Sequence, residues 1–183
     1  NTKNPKAVAK QLLDYANLDD SGMALKGLQR NVVESFFNKA FIFKPDGTLD
    51  TVSSMNPQKF KEYKDAANII FSDSPEAIKL FDDVMSQVYT MQRVNKSKSI
   101  NVEITTGFIK DALLRVAGIS VGTRTAKATG GQALMMAGTG SKIFKQLFGE
   151  RPIEQQFKMM QEVMLNPQKY VPELKAALTA SKE

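Results

Sequence analysis

The run Met23–Phe41, MALKGLQRNVVESFFNKAF, decides the fold. Its apolar residues Leu25, Leu28, Val32, Phe36 and Ala40 recur at intervals of three and four, which is the period of an α-helix rather than a strand. Val33, Phe37 and Phe41 widen that stripe, and a face so broad is buried against two neighbours rather than one. Helices on either side must therefore supply the cover.

On the N-terminal side, Pro5 sits at a first helical position, and Val8, Leu12, Tyr15 and Ala16 share one face of a short amphipathic helix. Asn17-Leu-Asp-Asp-Ser-Gly22 ends it and caps the helix that follows. On the C-terminal side, Lys44-Pro-Asp-Gly47 is turn chemistry flanked by Phe41, Phe43, Leu49 and Val52, a pattern that allows one small hairpin. Asn56-Pro57 reads as a cap followed by proline, opening a helix with Phe60, Tyr63, Ala67, Ile70 and Phe71 inward. Ser72-Asp-Ser-Pro75 breaks that helix. Asp73 with Glu76 resembles a capping box, and Ile78, Phe81, Val84, Met85, Val88 and Met91 form the cleanest helical stripe in the chain.

Asn95-Lys-Ser-Lys-Ser99 is a polar, basic boundary, and Ile100, Val102 and Ile104 alternate too briefly to make a sheet alone. Beyond Gly149, Pro152 starts a helix with Ile153, Phe157, Met160 and Met164 inward, and Asn166-Pro167 with Pro172 introduces a last one. The repeat of Asn56-Pro-Gln-Lys-Phe60 as Asn166-Pro-Gln-Lys-Tyr170 is explained by shared capping chemistry at two helix starts. The expected fold is all-α: an irregular multi-helix bundle with a glycine-rich basic connector and room for one small hairpin. Three parts are expected: a helical scaffold over 1-98, a basic Gly/Ala-rich contact segment over 99-150, and C-terminal helices over 151-183.

The contact segment differs most from an ordinary helical protein. Between Asp111 and Glu150 it has no acidic residue, yet it carries Arg115, Arg124, Lys127, Lys142 and Lys145, and most of the chain's formal charge of +6 falls there. These five cations suit phosphates, either of nucleic acid or of anionic lipid. An isolated charge cluster is more often a solvated helical face. The glycines weigh against that: Gly130-Gly131 and Gly138-Thr-Gly140 would each cost about 1 kcal/mol inside a plain helix. Gly118 with Gly122, and Ala126 with Gly130, have the small-residue spacing that lets helices pack closely.

Composition closes several chemistries. At 183 residues, 42% hydrophobic and 24% charged, the chain can bury a core without staples. It has no Cys and no His, which excludes disulfides and thiolate chemistry and removes the commonest general base and metal ligand. A carboxylate pair or a carboxylate-held Mg²⁺ stays open, but carboxylates such as Asp82-Asp83 fall on the polar faces of amphipathic helices. Gly138-Thr-Gly140-Ser-Lys142 lacks the spacing of a phosphate loop, and Met135-Met136 and Met159-Met160 suit adaptable interface contacts, although Met at helical spacing more often fills a core. No run of about 18 uncharged apolar residues encodes a transmembrane helix. The start at Asn-Thr-Lys, with no targeting stretch, reads as a piece of something larger. No cofactor or metal is expected.

The order of these features, Pro45-Asp-Gly-Thr-Leu49, helices such as Gln58 to Phe71 and Pro75 to Arg93, Leu114-Arg-Val-Ala-Gly118, Ala137-Gly-Thr-Gly-Ser141 and Leu165-Asn-Pro-Gln-Lys169, resembles the C-terminal helical region of the very large internal virion proteins of tailed phages. Those are the ejection proteins that leave the capsid ahead of the genome. The pattern covers roughly Phe43 to Leu178. The resemblance implies a structural role, first in the virion interior and then across the host envelope, with other virion proteins and further copies as partners and double-stranded DNA or an anionic membrane as a non-specific contact. It carries over no catalytic residue. The aromatic helices between Ser21 and Arg93 would dock the partner, with Phe36, Phe37 and Phe41 as contacts. The competing expectations are a non-catalytic helical adaptor, a membrane- or DNA-binding domain of a larger enzyme, and a carboxylate-dependent hydrolase.

Overall fold

A computed structural model describes residues 4–95 and 151–180. These are mostly helical, with six helices and one two-stranded hairpin. In chain order the elements are α1 (Pro5–Ala16), α2 (Met23–Ala40), β1 (Phe41–Phe43), β2 (Leu49–Val52), α3 (Pro57–Ile70), α4 (Pro75–Asn95), α5 (Ile153–Leu165) and α6 (Pro167–Ala180).

The broad stripe of α2 is used as its width requires. Val32, Val33, Phe36, Phe37 and Ala40 are buried, and α2 packs against α1, α3 and α5. Phe36 is fully enclosed, with ring centroids 5.1 Å from Phe81, 5.4 Å from Tyr63 and 5.7 Å from Phe37. Such edge-to-face and tilted aromatic contacts add stabilisation beyond the buried area itself. Phe37 continues the cluster towards Phe41 and Phe157.

Local chemistry sets the element ends. Gly22 has φ +69, a conformation that costs glycine least. Beside it, Asp19 accepts hydrogen bonds from the Ala24 and Ser21 backbone N–H groups at 2.8 and 3.0 Å. Asn56 caps α3 by accepting from the Lys59 N–H at 2.8 Å, with Pro57 next. The hairpin pairs Phe41 with Val52 and Ile42 with Thr51, then shifts register so that Phe43 faces Leu49. Its turn closes through Lys44 N–H to the Thr48 carbonyl at 2.8 Å and needs Gly47 at φ +78.

Three sequence expectations change. In α1 the buried residues are Ala9 and Ala16, while Leu12 and Tyr15 face outward, 46% and 66% exposed. Close approach to α3 takes the small side chains inward, and Lys6 reaches Asp65 across that contact at 3.2 Å. The capping box does not form: α4 starts one residue later than the box needs, with the Ser74 carbonyl accepting from Ile78 N–H at 3.1 Å, so Glu76 is a turn position too early. The Asn-Pro-Gln-Lys copies share a helix start but not a cap. Asn166 directs its side-chain amide back to the Glu162 carbonyl at 3.4 Å, because it also closes α5. The last two helices add to the same body. Phe157, Met160, Val163 and Met164 of α5 belong to the same core as Val33, Phe36, Phe71, Phe81 and Val88.

Candidate functional site

The predicted phosphate contacts Arg115, Arg124, Lys127, Lys142 and Lys145, and the close-packing positions Gly118, Gly122, Ala126 and Gly130, lie outside the described residues. So do the alternating residues Ile100 to Ile104 and the pair Met135-Met136. The predicted docking residues are described, and the structure corrects their role. Phe36, Phe37 and Phe41 are 0%, 2% and 3% exposed, held inside the chain's own core with Phe157 at 6.0 Å from Phe37 and 4.4 Å from Phe41. A ring that fills its own core cannot also cover a partner. Amphipathic spacing identified them as interface residues without saying whose interface.

The exposed apolar surface lies elsewhere. Leu12, Tyr15, Leu18 and Met23 are 46%, 66%, 77% and 67% exposed, and all four fall within the end of α1, the turn and the first residue of α2. Sequence pattern had placed Leu12 and Tyr15 inside. The signal that would have corrected this is the pair Ala9 and Ala16, seven residues apart, which suits the closer helix contact.

Six ion pairs are formed among the described residues, some within one helix and some between helices. Arg30 donates to Glu162 at 2.7 Å and to Glu34 at 3.3 Å, and these contacts raise its pKa, Glu162 most. Lys59 and Glu62 lie 2.6 Å apart, which raises the lysine and lowers the carboxyl. Asp19 is lowered by the Ser21 hydroxyl first and then by the Ala24 and Ser21 backbone. Asp46 is lowered by the Thr48 hydroxyl and then its N–H. Each shift has a structural cause in a cap, a turn or a surface pair. Lys64 with Asp82 at 2.8 Å and Lys158 with Glu154 at 2.8 Å complete the pattern.

A shallow open cleft of about 420 Å³ is lined by Asn31, Glu34, Ser35, Asn38, Lys39 and Tyr63. Within it the Tyr63 hydroxyl and Ser35 Oγ are 3.1 Å apart, and Glu34 accepts from Arg30 outside the lining. Among the described residues no group of three or more His, Cys, Asp or Glu is placed to hold a metal ion. Met160 is core and Met159 Sδ lies 2.8 Å from Arg151 Nη1.

No family model, curated protein or solved structure matches this chain. The arrangement of charge therefore bears most directly on what the protein can do. Residues 4–95 and 151–180 contain fifteen basic and fifteen acidic side chains, whereas 96–150 contain eight basic and three acidic ones. The helical body is electroneutral, and the span between α4 and α5 carries five of the chain's six excess positive charges. The two helices that flank this span in sequence, α4 and α5, contribute to one core. No described helix is long and apolar enough to cross a membrane.

Proposed function

We propose that the chain is a structural, non-catalytic part of a tailed-phage internal core and ejection apparatus. In this reading it assembles with other virion proteins and with copies of itself, first in the virion interior and then in the host envelope, and helps carry DNA across. The single observation supporting this reading is the segregation of charge between the neutral helical body and the span 96–150. The body acts as a scaffold that holds both ends of a glycine-rich basic connector. The connector presents Arg115, Arg124, Lys127, Lys142 and Lys145 to phosphates. Gly118, Gly122, Ala126 and Gly130 allow close helix contact during assembly.

Electrostatics of this kind is sequence-independent. Phosphate contacts release counterions and position a protein on DNA without reading bases. Near an anionic bilayer the same cations supply on the order of 1 kcal/mol each. A channel component benefits from weak, distributed contacts, since DNA must slide past it.

A helical adaptor that binds only protein is the second reading, favoured by the exposed Leu12, Tyr15, Leu18 and Met23. Native mass spectrometry of the full chain, alone and with duplex DNA, separates the two. Ring-like multiples that retain DNA support the ejection reading, and a monomer that ignores DNA overturns it.

A further inference from the structure

We draw no further inference here: the strongest candidate, the exposed apolar face of Leu12, Tyr15, Leu18 and Met23 where α1 turns into α2, has nothing in the structure to show what covers it.

Discussion

Replacing Phe157 with alanine tests whether α5 and the first four helices form one cooperative unit. Phe157 is 2% exposed and its ring lies 4.4 Å from Phe41, 5.3 Å from Phe43 and 6.0 Å from Phe37. It therefore joins α5 to both β1 and the end of α2. Removing a buried phenyl ring costs about 3–5 kcal/mol through lost transfer energy and the cavity left behind. Against a total stability of roughly 5–15 kcal/mol, that is a large share. For a domain of this size it corresponds to a fall in melting temperature on the order of 10 °C. The assay is thermal and urea unfolding followed by two probes. Far-UV circular dichroism reports the helices, and near-UV tyrosine signals, taken in a Tyr15→Phe, Tyr170→Phe background, report Tyr63 and Tyr89, which pack on Phe36 and Phe60 in the other half of the core. Both probes should shift together in Phe157→Ala. A tyrosine transition that stays at its wild-type midpoint while helix signal is lost early would refute the single core.

Three further outcomes follow from particular contacts. Leu18→Ser, at a side chain 77% exposed, should move the urea-derived stability by no more than about 0.5 kcal/mol; a loss above 2 kcal/mol would mean that Leu18 is covered. Asn56→Ala should cost about 1 kcal/mol because its side chain caps α3, whereas Asn166→Ala, whose amide points back to Glu162, should cost clearly less; equal urea midpoints for the two would contradict the distinction. Asp19, Asp46 and Glu62 are held below their ordinary values by Ser21, Thr48 and Lys59 respectively. Their stabilisation is thus complete above the unfolded carboxylate range and lost as pH falls through the depressed folded values. Arg30 and Lys59 are raised, so their share is complete below their unfolded values and is lost only as pH rises past the folded ones. The urea midpoint should accordingly stay level near neutrality and decline below roughly pH 4; a midpoint that rises on acidification would reverse the sign.

Much of this fold is legible from local rules. The turn at Lys44 to Gly47, the cap at Asn56, and the inward residues Phe60, Ala67, Phe81, Val84, Val88, Phe157, Met160 and Met164 can all be read from period and capping chemistry, because each depends on near neighbours in sequence. What could not be read depends on distance of approach and on partner choice. The helical period puts Leu12 and Tyr15 inward beside Ala16, yet the residues buried in α1, which packs on α3, are Ala16 and Ala9. Period marks Phe157 as inward without naming what it meets, and it fits between Phe37, Phe41 and Phe43. The same aromatic stripe that marked Phe36, Phe37 and Phe41 as contact residues could not say that the contact is internal. The charge contrast, by comparison, needs no geometry to see. What the structure adds is that both flanks of the cationic span belong to one neutral core.

The salt dependence of DNA binding tests that charge-based account most directly. Fluorescence anisotropy of a labelled duplex, titrated with the full chain at several salt concentrations, should give log affinity falling against log salt with a slope of about −4.5 if five cations meet phosphates. A variant with Arg115, Arg124, Lys127, Lys142 and Lys145 all changed to glutamine should lose that slope while keeping the thermal unfolding of the parent. Wild-type affinity that is indifferent to salt, or a slope that survives in the variant, would contradict the assignment of phosphate contact to the span between α4 and α5.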